Sequence, residues 1–484
     1  MTDLPTPPDE SLRPSIGTDE WVERHDERLE ETRFGRVVGR VPSAAWLAGF
    51  VALAALVPLL TSSQYVVRVG VDTIIFMLLA LGLNVVVGWS GLLDLGYVAF
   101  FGFGAYLYAI LSSDQFDIHW PAEVTVPLVV VACALLGLVL GLPSRRLLGD
   151  YLAIVTLFFL QIFITIVTNA DRLEIPFVGH AVNFTGGPNG VPDVDSFDVF
   201  GYELDSVRQY FYLALGVFVI VIVALALLSD SRTGRAWRAL REDPLAAELM
   251  SIPVNRLKLL AFSLGAGTAG LTGTIFAPLH TGVFPTDFDL PLLITIYAMV
   301  ILGGAGSLAG VVLGAIVINV SLEALTDPEH ARWLFYGVIL VSLVAALRPW
   351  RRLAAVLGAL VASGFVLHVI VDAASSRWTA GDGAGDDVVA RAVDSWVLLP
   401  SDPKQIGNIA FVGLVAAVLA LTLARGVWRL VGLVPVLYLA AFVWENRLAA
   451  EPSVTRLILL GALLVALMNA RPQGLLGSAR VEIV

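Results

Sequence analysis

The sequence has a single cysteine, Cys133, in 484 residues. One thiol cannot close an intramolecular disulfide or supply a cysteine cluster for a metal. Lysine is almost as scarce: Lys258 and Lys404 are the only two, and arginine supplies the other basic side chains. A P-loop needs Gly-x-x-x-x-Gly-Lys followed by Ser or Thr, whereas these lysines are followed by Leu259 and Gln405, so the chain carries no P-loop. Charged residues make up only 15%, and the acidic excess gives a formal net charge of −11. Nucleic-acid binding needs clustered positive charge and is excluded. The six histidines are scattered, with no Ser-His-Asp or paired-His arrangement, so no catalytic residue, metal site or cofactor is expected.

What is present is apolar: 57% of residues are hydrophobic, against about 45–50% in a soluble domain. Apolar runs of about 18 or more residues with almost no charge read as membrane spans. They must be helical, because lipid offers a bare backbone no hydrogen-bond partner. The expected fold is an all-α polytopic membrane protein with about 14 transmembrane helices, near 45–61, 69–88, 92–111, 124–142, 151–168, 210–228, 257–278, 291–302, 307–325, 333–347, 353–371, 407–423, 427–444 and 455–469.

Basic residues favour short cytoplasmic loops. With the N-terminus inside, Arg145, Arg146, the segment 232–258, Arg348, Arg351, Arg352, Arg425 and Arg471 all fall inside, while Asp114, Asp117, the acidic segment 171–205, Asp327, Glu329 and the segment 372–404 fall outside. The predicted organisation is a polar cytoplasmic tail (1–43) with nothing cleaved from it, a transmembrane core (44–349), extra helices with an acidic outer loop (350–452), and a terminal helix with a cytoplasmic tail (453–484). The localisation is a cytoplasmic membrane crossed many times. Gly137 with Gly141, and Gly306 with Gly310 and Gly314, put small residues on one helix face for close packing.

The loop SRTGRAWRALREDPLAAELM (231–250) is helix-forming, carries both charge signs and bears an apolar stripe. Between two spans, that stripe has only lipid headgroups or a partner protein to bury against. Asp72 and Asp94 are carboxylates near membrane depth, where ionisable groups are costly and are functional candidates. Each is either a polar contact on a translocation route or a carboxylate satisfied locally, Asp72 by Arg68 for example.

This loop, with its continuation SIPVNRLKLLAF (251–262), resembles the coupling loop of branched-chain amino-acid ABC permeases of the LivM type. GLLDLGYVAFFGFGAY (91–106), TGGPNG (185–190), LGGAGSL (302–308) and RPQGLLG (471–477) resemble further motifs of that family, in the family's order. The resemblance implies an ABC importer permease bundle, here with extra C-terminal helices. It also implies partners: two ATP-binding subunits, a companion permease subunit and an external solute-binding protein, besides membrane lipid. ATPase coupling would fall to Arg235, Arg238, Arg241, Glu242, Asp243, Ala246, Ala247, Glu248 and Lys258. The substrate route would be lined by Asp94, Gly96, Tyr97, Phe100, Phe101, Gly104, Tyr106, Thr185, Gly186, Gly187, Pro188 and Asn189. The sequence departs from the family at Asp94 and Tyr97, where serine and histidine are commoner, and at Ser251, where glycine is usual. The stretch from about 350 to 452 has no counterpart. A different class, an ion-coupled secondary transporter using Asp72 or Asp94, would have no need of the coupling loop.

Overall fold

The computed structural model describes residues 43–144, 150–171, 173–174, 181–199, 201–326, 328–347, 350–375, 378, 393, 395–424, 427–450, 461 and 474–476. The chain divides into two units, Met1–Ser62 and Ser63–Val484. The described part of the first is one apolar helix, α1 (Ser43–Leu60).

In the second unit, α2 (Gln64–Leu83) runs directly into a π-helix (Asn84–Trp89). Then come α3 (Tyr97–Leu111), α4 (Ala122–Ser144), α5 (Asp150–Asn169) and α6 (Val207–Asp230). Two short helices, α7 (Arg232–Glu242) and α8 (Pro244–Leu249), lead to α9 (Val254–Leu279). The chain continues through α10 (Leu290–Gly303), α11 (Leu308–Ala324), α12 (Pro328–Ala346), α13 (Trp350–Ala374), α14 (Pro403–Leu423) and α15 (Val427–Ala450).

Among the described residues, nine helices are long and apolar enough to cross a membrane, and α1, α3, α11 and α12 are shorter apolar helices. All fall on expected runs. The last run, 455–469, lies almost wholly outside the described residues, as do the 1–42 tail and Arg145, Arg146, Arg348, Arg425 and Arg471. Large apolar side chains stand exposed on the helix surfaces, among them Phe158, Val412 and Leu423 at 64%, 68% and 83%. On a soluble protein this surface would aggregate; in lipid it is the solvated side.

The central helix is α9, which packs along α4, α3 and α2. Small residues permit this. A Cβ at Gly104 would lie 2.5 Å from the Cα of Gly270, and one at Gly273 would lie 2.6 Å from the Ala105 nitrogen, so α3 and α9 cross backbone to backbone. Gly137 and Gly141 press on α9, and Gly310 and Gly314 on α10, as small-residue faces should. Gly306 instead stands in the turn before α11, with φ 99°.

Pairs of two-residue strands tie the loops at one end of the unit. β1 (Ser112–Ser113) pairs with β2 (Ile118–His119), β3 (Leu173–Glu174) with β4 (Ala181–Val182), and β6 (Asp198–Val199) with β7 (Tyr202–Glu203). β5 (Val191–Pro192) crosses to β8 (Gly282–Val283) just after α9. Since α9 has 26 residues, about 39 Å at 1.5 Å per residue, this strand-tied end and the α7–α8 end lie on opposite sides of a membrane-sized thickness.

The helices after 347 pack onto one another and onto α12. Ala441, Phe442 and Val443 of α15 form a core with Val397 and Leu398, and Trp444 stacks on Phe335 of α12 at 4.5 Å. Beneath that stack, Arg332 of α12 meets Glu445 of α15, with Nη2 to Oε2 at 2.9 Å and Nε 3.2 Å from both oxygens.

Candidate functional site

Sequence placed a helix from 92, but α3 starts at Tyr97 and residues 90–96 form a turn. Gly91 takes φ 69°, a conformation that favours glycine. The following amides are spent outside any helix: Leu92 donates to the Val86 carbonyl at 3.1 Å, Asp94 to the Tyr297 hydroxyl at 3.1 Å, and Leu95 to Thr156 Oγ1 at 2.9 Å. The Asp94 carboxylate accepts from the Gly96 amide through Oδ1 at 2.9 Å, while its buried Oδ2 has no partner among the described residues. The Tyr297 hydroxyl also donates to the Asp94 carbonyl at 2.6 Å. One carboxylate oxygen thus has a structural task and the other has none, so Asp94 keeps a polar atom free inside a low-dielectric interior.

The α3 residues expected on a route are closed in. Asp94, Tyr97, Phe100, Phe101 and Tyr106 are each 3% exposed or less. Phe101 packs edge-on against Phe276 and Phe288, and Tyr106 against Phe163. The hydroxyl of Tyr106 is buried with no hydrogen-bond partner among the described residues. Gly96 lies against the Thr156 carbonyl and Gly104 against Gly270. A passage along α3 therefore requires the helices to move.

The TGGPNG segment forms a turn. Gly186, Gly187 and Gly190 have φ of 69°, 58° and 64°, and the Thr185 hydroxyl donates to the Val167 carbonyl at 2.7 Å, seating the turn on the end of α5. Pro188 and Asn189 are exposed. The structure brings this turn to α3: Phe184 and Thr185 close one end of an apolar groove of about 430 Å³ whose walls include Tyr106, Leu136, Phe159 and Phe163. A second apolar groove, about 340 Å³, runs along α10 past Leu95, Ile294, Tyr297 and Ile301. Sequence reasoning missed Tyr297, which sits in an apolar run with no motif around it. Near the strand-tied end, Asp72 lies 3.9 Å from His280, a partner the sequence did not suggest, and Glu323 accepts from Tyr65 at 2.6 Å.

At the opposite end, Ser231 caps α7 and Asp243 caps α8, accepting from Leu245 N at 2.8 Å and Ala246 N at 3.1 Å. Arg235, Arg238, Glu242, Asp243, Ala246 and Glu248 are exposed. Three expected coupling residues are not. Ala247 is 3% exposed and Lys258 6%, so both belong to the interior of this chain. Arg241 is half-buried, and its Nη1 donates inward to the carbonyls of Gly88 and Ala305 at 2.5 and 3.3 Å. The apolar residues that α8 leaves bare are Leu245, Leu249 and Met250, at 73%, 86% and 78%. The i, i+4 spacing of Leu245 and Leu249 was the available signal. The serine at 251, where glycine is usual, takes φ 62°, which explains the preference.

The coupling loop, the turn at 304–307 and the terminal motif meet here. Trp89 donates to the Gly306 carbonyl at 3.1 Å and stacks on Trp237 of α7 at 6.0 Å. The terminal segment closes the junction, with Leu475 N donating to the Leu302 carbonyl at 2.8 Å and Leu476 N to that of Gly303 at 3.1 Å.

The family described as branched-chain amino acid transport system / permease component matches residues 65–347. The high-affinity branched-chain amino acid transport system permease protein LivM of Escherichia coli K12 is 34% identical over 327 residues, covering 63% of this chain and 73% of the relative. The LivM protein of Salmonella typhimurium LT2 is 35% identical over 301 residues, covering 57% and 68%. The LivH protein of the same organism is 24% identical over 264 residues, covering 52% and 82%. No solved structure matches the chain.

Proposed function

Because the chain belongs to the branched-chain amino acid transport permease family, we propose that it serves an ATP-driven importer that carries branched-chain or related amino acids across the cytoplasmic membrane. Its N-terminus and the α7–α8 end face the cytoplasm, the side favoured by Arg232, Arg235, Arg238 and Arg256. ATP hydrolysis belongs to two separate ATP-binding subunits. A companion permease completes the channel, and an external solute-binding protein delivers the cargo to the strand-tied end. The route follows α3, the turn at 185–190 and the adjoining groove, whose aliphatic and aromatic walls suit an aliphatic cargo.

The observation that carries the docking assignment is the bare apolar face of α8. Leu245, Leu249 and Met250 lie outside the spans, among exposed charges; an apolar patch there marks a protein or membrane contact, and the ATP-binding subunits are the contact assigned to it. Leu249→Asp places a charge in that contact while leaving the chain's own core untouched. The variant should insert normally but lose copurification with the ATP-binding subunits, and uptake with it. Copurification and uptake at parental levels would overturn the assignment. Ala247→Asp, by contrast, charges the interior and reports on folding.

A further inference from the structure

Arg241 differs from the other arginines of α7 in where it points. Arg235 and Arg238 are exposed, whereas Arg241 reaches back to two carbonyls from different parts of the chain. One, Gly88, is in the π-helix that ends α2. The other, Ala305, is in the turn between α10 and α11. These two segments are also joined to each other: Asn84 Oδ1 accepts from the Gly306 amide at 2.7 Å, and Trp89 Nε1 donates to the Gly306 carbonyl. Trp237, fully buried, stacks on Trp89 and donates to the Leu257 carbonyl of α9 at 2.9 Å.

Immediately past the π-helix comes the turn that carries Asp94. Within it, Gly91 is pressed against Arg241, where a Cβ would lie 3.1 Å from Arg241 Cγ. The next residue, Leu92, donates its amide back to the Val86 carbonyl in the π-helix. A π-helical segment is a rare interruption of an α-helix and is frequent at functional sites. The guanidinium thus grips the π-helical end of α2 from the helix that lies beside the proposed docking face.

We propose that Arg241 is the positioning residue that passes movement of α7 to the turn bearing Asp94, by way of the π-helix and the turn at 304–307. The proposal rests on the docking of ATP-binding subunits at α8. It turns a residue expected to touch the ATPase into one that acts on its own chain. If Arg241 were only a staple of the fold, its loss would lower abundance, hydrolysis and uptake together. A transmitter separates them.

The test uses the complete importer, reconstituted with its ATP-binding subunits and binding protein. In Arg241→Gln, the ATP-binding subunits should still copurify and hydrolysis should stay within about twofold of the parent. Uptake should fall by about tenfold or more, the scale of one lost charge-assisted hydrogen bond, so more ATP is spent per solute. Arg241→Lys, which keeps a charge and donors, should recover part of the loss. Hydrogen exchange supplies the second readout. Nucleotide trapping should alter protection in both 232–249 and 84–96 of the parent, but only in 232–249 of Arg241→Gln. Uptake within about twofold of the parent, hydrolysis falling in parallel with uptake, or an unchanged response in 84–96 would each overturn the proposal. A parental importer without ATP-driven uptake would remove the functional reading itself, and this inference with it.

Discussion

Replacing Glu445 with Gln tests whether the helices after 347 are locked to the permease core. Glu445 and Arg332 are 1% and 2% exposed, and the guanidinium makes three contacts with the carboxylate at 2.9–3.2 Å. The Tyr336 hydroxyl donates a further bond to Oε1 at 3.0 Å. Glu445→Gln removes the countercharge and leaves a buried guanidinium beside a neutral amide. Stranding one member of a buried pair costs about 3–5 kcal/mol, more than about a hundredfold in the equilibrium between the docked and open arrangements. Arg332→Leu strands the carboxylate instead and should cost a similar amount. The double variant Arg332→Leu/Glu445→Leu should regain most of the loss, because an apolar pair of fair volume can replace a buried ion pair at little cost. Thermal midpoints of the four purified proteins in detergent give the cycle. If each single variant kept the parental midpoint, or if the double variant were as unstable as the two losses added together, the pair would not be the clamp described here.

The proposed orientation predicts that a single cysteine at Asn189, in a Cys133→Ser background, reacts with an impermeant maleimide on intact cells; labelling only after lysis would refute it. His119 gives a pH prediction. Asp195 Oδ2 bonds its Nδ1 at 2.6 Å and, with Asp114 and Asp117 near Nε2, holds the imidazole pKa above its usual 6.5. Because the folded value is the raised one, this loop contact is fully present below about pH 6.5 and fades as pH rises through the folded pKa. In histidine-selective NMR, Asp195→Asn should bring the His119 midpoint down towards 6.5, and an unmoved midpoint would refute the pairing.

Composition and run length alone made the helices legible, since lipid permits few alternatives to a continuous apolar helix. The start of α3 was not legible. An apolar run such as 92–111 shows no break where the amides of Asp94, Leu95 and Gly96 donate to the Tyr297 hydroxyl, Thr156 Oγ1 and the Asp94 carboxylate, because those partners lie 203, 61 and 2 residues away. The turn at 185–190 was readable residue by residue because positive φ at glycine is a local property.

The coupling loop shows where local reading stops. Its amphipathic pattern is plain, but periodicity says only that one side is apolar, not whether that side faces a partner or the chain itself. Here the apolar residues split: Trp237, Leu240 and Ala247 turn inward, while Leu245, Leu249 and Met250 stay bare. The same ambiguity hid the direction of Arg241, a surface charge by sequence and an internal tie by structure. It also hid the docking of the helices beyond 347, because Arg332 and Glu445 stand 113 residues apart and neither belongs to a motif. Three of the family motifs therefore share not a common surface but a common destination: α7, the turn at 304–307 and residues 474–476 meet the π-helix end at one junction, while the turn at 185–190 stands at the opposite end. The junction is assembled from four distant segments held by bonds to backbone carbonyls and one ring stack, so it ties α7 to the ends of α2 and α10 by contacts that no local pattern announces.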